Sequence, residues 1–124
     1  MNIDQHRLGL YVLRFGLAGV FLWFGISQLS DVSAWAGIVP EWATNISGMS
    51  AERIVFLNGI FEVVMGGLLL LGFFIRIVAL VLALHLVPIA LQFGLQEATG
   101  IRDLGLALAT LSLALIYDKD KRPL

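Results

Sequence analysis

The chain has 124 residues, of which 59% are hydrophobic and 14% charged, with a formal net charge of −1 and no cysteine. Soluble domains carry about 45–50% apolar and about 25% charged residues, so a water-soluble globule is excluded and the bilayer is the expected solvent. The lack of cysteine removes disulfides, thiol chemistry and Cys-ligated metal or iron–sulfur sites. No basic cluster points to a nucleic-acid partner.

Four apolar runs approach the ~20 residues a helix needs to cross a bilayer. They are expected at residues 8–29, 54–74, 75–95 and 101–117, within one transmembrane domain covering residues 1–124. Hydrocarbon offers backbone groups no partner, so each run must be helical. The fold class is therefore all-α: an integral membrane four-helix bundle. The first run reads as a retained span and not a cleaved leader. Asp4 precedes it, Arg14 interrupts it, and no clean small-x-small cleavage site follows.

Residues 30–53 differ in character. Val32, Trp35, Val39, Trp42 and Ile46 recur at helical spacing around Pro40. This predicts short interfacial helices between spans one and two, with Trp35 and Trp42 as interfacial anchors. Pro40 suits the first turn of the second short helix. Ser50 suits the cap of the second span, with Glu52 in its first turn. Gly72 and Arg76 mark a tight helical hairpin between spans two and three. With four spans, both termini lie on the side of that hairpin. Arg7, Arg76, Lys119, Lys121 and Arg122 fall on this side, against Arg53 and Arg102 opposite. The positive-inside rule places both termini, with the tail at 118–124, in the cytoplasm.

Polar residues inside spans are costly: a mid-membrane charge costs about 2.5–3.5 kcal/mol even on the lenient insertion scale. Arg14 lies inside the first span and either snorkels to the interface or pairs with a buried carboxyl group. Glu62 lies mid-span, with Asn58 four residues earlier on the same face. It serves either as interhelical glue or as a ligand or proton group. His85, Gln92 and Gln96 share a face of the third span, near Pro88. They suggest a polar track from mid-membrane outward, with a structural role for His85 as the alternative. Bis-histidine haem is not expected, because His6 lies outside the spans. Arg102 and Asp103 open the fourth span, as a polar boundary or as a closure over Glu62 and His85. No metal-ligand cluster is recognisable, so a metal site is not expected.

The order of these pieces resembles the DoxX-like family of small four-helix membrane proteins. The match rests on Arg14-Phe15-Gly16 leading into the segment from Phe21 to Leu29, then Val39-Pro40-Glu41-Trp42. It continues with Gly59-Ile60-Phe61-Glu62, Gly66 through Gly72 to Arg76, and Ile101-Arg102-Asp103-Leu104. The family commonly carries a lysine near the end of the first span, where this chain has Gln28, so a role needing a cation there is not expected. The resemblance implies a link to respiratory or sulfur-related oxidoreductases, some relatives being quinone-reactive subunits of such complexes and many having no assigned activity; quinone is the one cofactor it suggests.

The leading expectation is an accessory membrane subunit of an oxidoreductase complex, quinone-associated, in a prokaryotic inner membrane. Its candidate polar pocket comprises Arg14, Gln28, Asn58, Glu62, His85, Gln92, Gln96, Arg102 and Asp103. Expected partners are membrane lipids and either an oxidoreductase or further copies of the chain. The alternatives are a small oligomeric transporter or lipophile-binding protein, and a structural or assembly factor.

Overall fold

The computed structural model describes residues 4–94 and 96–117. It contains α1 (Gln5–Ser30), α2 (Val32–Ala36), α3 (Glu41–Ser47), α4 (Ala51–Leu71), α5 (Ile75–Phe93) and α6 (Ala98–Ile116). No strand occurs among the described residues. Helices α1, α4, α5 and α6 are each long and apolar enough to cross a membrane. The chain is a multi-pass membrane protein built as a helical bundle, with α2 and α3 as the short helices between its first two spans. The expected tail at 118–124, with Lys119, Lys121 and Arg122, lies outside the described residues, as does Leu95 at the expected end of span three.

Local chemistry sets the helix ends. The Asp4 carboxyl group accepts from the His6 N–H at 3.1 Å and starts α1. Asp31 ends α1 through its N–H, which donates to the Ser27 carbonyl, and its side chain then caps α2 by accepting from Ala34 N–H. Ser50 Oγ accepts from Arg53 N–H at 3.1 Å, so α4 begins at Ala51, three residues before the expected start. It also ends earlier, at Leu71. Gly72 takes φ 88°, and the N–H groups of Gly72 and Phe73 both donate to the Leu68 carbonyl at 2.9 Å. That left-handed stop is natural for glycine and closes the helix end. Pro40, at φ −73° and ψ 152°, stands just before α3 as its cap and not inside its first turn.

The two helices joined by the hairpin do not form the tight pair. Helix α4 packs densely on α1, and α6 packs densely on α5, while α4 touches α5 sparsely and α1 touches α6 sparsely. Small residues explain the choice of partners, because without a hydrophobic drive in lipid, helices associate where backbones can approach. A Cβ at Gly25 would stand 2.9 Å from the Gly59 carbonyl oxygen, and one at Gly66 would stand 3.1 Å from Leu22. In the α5–α6 pair a Cβ at Gly100 would stand 3.0 Å from the Ala90 carbonyl oxygen, and Ala79, Ala83, Ala90, Ala107 and Ala114 are buried.

The two pairs meet through a core of Leu10, Leu17, Phe21, Leu69, Ile75, Val78, Leu82 and Leu113, with Tyr117 packed against it. Leu10, Ile75 and Tyr117 place the start of α1, the start of α5 and the end of α6 at one end of the bundle, here termed the hairpin end. Toward the opposite end, under α2 and α3, the pairs separate.

Candidate functional site

That separation leaves a cavity of about 560 Å³ between the α1–α4 and α5–α6 pairs. The volume lies within the ~300–1,000 Å³ of small-molecule sites. Its walls are mainly apolar and aromatic, among them Phe21, Phe24, Val55, Leu86, Ile89 and Phe93. Gln28, Asn58, Glu62, His85, Gln92, Arg102 and Asp103 also line it. Seven of the nine sequence-derived pocket residues therefore converge on one space.

Gln28 is the hub of the α1–α4 side. Its Nε2 donates to Glu62 Oε1 at 2.7 Å and to the Phe24 carbonyl at 3.1 Å, and its Oε1 accepts from Asn58 Nδ2 at 2.8 Å. One amide thus bridges the two polar positions of α4, which lie one turn apart. No cation is needed there, because a side-chain amide supplies both a donor for Glu62 and an acceptor for Asn58.

Across the cavity, His85 Nε2 lies 3.6 Å from Glu62 Oε2. That is beyond hydrogen-bond reach, and the nitrogen is buried without a hydrogen-bond partner. The imidazole rests against the Phe61 ring, with centroids 4.7 Å apart. Phe61 immediately precedes Glu62, so α4 both orients the ring and presents the carboxyl group to it. A buried polar atom left unpaired costs about 1–3 kcal/mol. A hydrogen-bonding group placed between His85 Nε2 and the cavity would remove that cost.

At the mouth, Asp103 turns inward and is buried, while the Arg102 side chain is 61% exposed. Their closest charged atoms are 4.0 Å apart. Thr99 adds a polar group to the wall that no sequence pattern singled out.

The segment from α2 to α3 forms a roof. Trp35 Nε1 donates to Ser27 Oγ at 3.3 Å, and the Trp35 ring meets Phe24 edge-on. Gln92 Nε2 donates to the Ile38 carbonyl at 2.9 Å and ties α5 to the same segment. Trp35 and Trp42, expected as interfacial anchors, therefore line the cavity. Ser27 was not among the candidates. Its only sequence signal was a Ser-Gln pair at the end of an apolar span.

Two candidates lie elsewhere. Arg14 does not approach Glu62. Antiparallel packing sets Gly25 against Gly59 and Leu22 against Gly66, so Arg14 meets the far end of α4. There it is 3% exposed, its Nη2 reaches the Leu70 carbonyl at 3.5 Å, and its guanidinium stands 4.7 Å from the Phe15 ring centroid. Fourteen residues of helix, ~21 Å, separate Arg14 from Gln28 along α1. A cation at a helix C-terminus is favourable, and that explains its burial without a carboxyl partner. Gln96 is exposed outside the cavity. Helix α5 ends at Phe93 because Gly94 takes φ 89° and ψ 147°, so the helical spacing that aligned Gln96 with His85 stops short of it.

Four apolar helices enclosing a polar cluster at one end define a multi-pass membrane bundle with an intramembrane cavity. The DoxX family model matches residues 9–95, from α1 to the end of α5. The chain belongs to the DoxX family. No curated protein and no solved structure matches it.

Proposed function

We propose that this chain is an accessory membrane subunit of an oxidoreductase complex and holds a quinone-type lipophile with its head group at His85 and Glu62. The observation carrying the reading is His85 Nε2, buried without a hydrogen-bond partner and 3.6 Å from the Glu62 carboxyl oxygen on the wall of an apolar cavity. A quinone head presents carbonyl oxygens that accept hydrogen bonds from an imidazole N–H or a side-chain amide. On two-electron reduction each oxygen gains one proton, and Glu62 and His85 are the neighbouring groups able to deliver one. The electrons are assigned to a partner. The chain has no cysteine, and among the described residues no group of three or more His, Asp or Glu is placed to hold a metal ion. The oxidoreductase link rests on the family resemblance. In this reading the hairpin, with Arg76, faces the cytoplasm of a prokaryotic cell, and α2 and α3 face outward.

The structural alternative draws on the Gln28–Glu62 bond, which by itself links α1 to α4. The two readings differ in what ligand binding does. In mild detergent, the chain is expected to co-purify with a redox enzyme and to bind decylubiquinone, with Glu62→Gln and His85→Ala each weakening binding about tenfold or more, the worth of one charged or buried hydrogen bond. Unchanged quinone affinity in both variants would overturn the proposed site. Quinone reduction by the isolated chain would overturn the accessory role.

A further inference from the structure

We propose that the cavity is filled sideways from the bilayer through a portal between α1 and α6, its occupant an amphiphile whose polar head reaches Glu62 and His85 while its apolar tail lies in the α1–α6 cleft. The occupant rests on the quinone reading above; the portal does not.

The tight pairs α1–α4 and α5–α6 leave α1 and α6 touching sparsely. A second, shallower cleft lies there, lined by Val20, Trp23, Phe24, Trp35, Arg102 and Leu106. All of these except Trp23 also line the main cavity, so the two spaces are continuous. Trp23 is 63% exposed and marks the outer lip. At the α2–α3 end, Trp35 and Ile38 line the cavity and are tied to α1 and α5 by hydrogen bonds.

Helical spacing extends the stripes that carry this cleft toward the hairpin end. Gly16, Gly19, Val20 and Trp23 fall on one stripe of α1, and Arg102, Gly105, Leu106 and Ala109 fall on one stripe of α6. A Cβ at Gly16, Gly19 or Gly105 would meet nothing within 4 Å. Arg102 is the charged residue of the cleft lining, Asp103 beside it lines the main cavity, and Val20, Trp23, Phe24 and Leu106 are apolar or aromatic. Such a division fits a molecule with one polar end and one hydrocarbon end lying along the helices.

The test uses the full chain in lipid vesicles with a benzoquinone carrying a photoactivatable diazirine at the end of a decyl tail. Mass spectrometry then locates the label. Attachment within residues 16–23 and 102–109, suppressed by excess tail-less dimethoxy-methyl-benzoquinone, is the expected result. Because the chain has no cysteine, a Val20→Cys/Leu106→Cys variant can be bridged by a short bismaleimide, and the bridge is expected to lower labelling about tenfold, within the range that interface changes move association rates. Labelling in this cleft that tail-less quinone does not suppress supports the portal and overturns the quinone occupant. Labelling of α2, α3 or the α4–α5 side, or labelling that the bridge leaves unchanged, overturns the portal. Bridging of two chains through Val20→Cys alone also overturns it, since a second copy would then cover the cleft.

Discussion

Removing the Gln28 side chain is expected to loosen the α1–α4 pair. Gln28 is 6% exposed and is the shared partner of Glu62 Oε1 and Asn58 Nδ2, at 2.7 and 2.8 Å. Hydrogen bonds between transmembrane helices average about 0.6 kcal/mol, so two of them set a floor near 1 kcal/mol. Gln28→Ala also strands a carboxyl oxygen and an amide donor, each costing about 1–3 kcal/mol when buried. The stranding cost already contains the loss of the two bonds, and both groups border the cavity, so the low end applies to each and the total is about 2 kcal/mol. Gln28→Lys keeps a donor for Glu62 and loses only the acceptor for Asn58, so its cost is about 1 kcal/mol or less. Reversible unfolding by SDS titration in mixed micelles reads these differences. A double-mutant cycle with Glu62→Leu isolates the pair itself. Gln28→Ala within about 0.5 kcal/mol of the parent, or no coupling to Glu62, would refute the reasoning, since exposed positions away from any such feature give changes of that size.

Two further substitutions probe the hairpin end by the same titration. Gly72→Ala forces a Cβ into a φ of 88° and to 3.2 Å from Arg14 Nη1; the left-handed conformation alone costs about 1–2 kcal/mol, and a neutral result would show that the hairpin relaxes freely. Arg14→Met is expected to stay within about 1 kcal/mol of the parent. Arg14 Nε and Nη1 are buried without hydrogen-bond partners, so the contacts to the α4 end and the aromatic rings are offset by desolvation, and exchanging such a buried ion for a well-packed apolar side chain is often neutral or stabilising. A loss of about 3–5 kcal/mol would instead indicate a broken buried ion pair and contradict the observed separation of Arg14 from Glu62.

Much of the site was legible because hydrocarbon makes polar residues conspicuous. Glu62, Asn58 and His85 stood out against long apolar runs, and helical spacing gave the shared face of Asn58 and Glu62. Gln28 was visible only through comparison with a family pattern, since a lone glutamine near a helix end carries no signal of its own. Arg14 was conspicuous for the same reason as Glu62, yet its cost is met by the C-terminal end of α4 and by aromatic rings. A polar residue within a span therefore announces that something must satisfy it and does not say what.

The sequence by itself determined four apolar helices, the short helices between the first two, the Ser50 cap and the Gly72 stop. Each of these follows from local length, polarity and backbone freedom. Only the tertiary structure decided that α4 pairs with α1 and not with its hairpin neighbour α5. That choice depends on whether Gly25, Gly59 and Gly66 meet across two helices remote in sequence, and one-dimensional spacing contains no such information. The same pairing slides Arg14 away from Glu62, brings Gln28 onto it, and opens the cavity where the two pairs part.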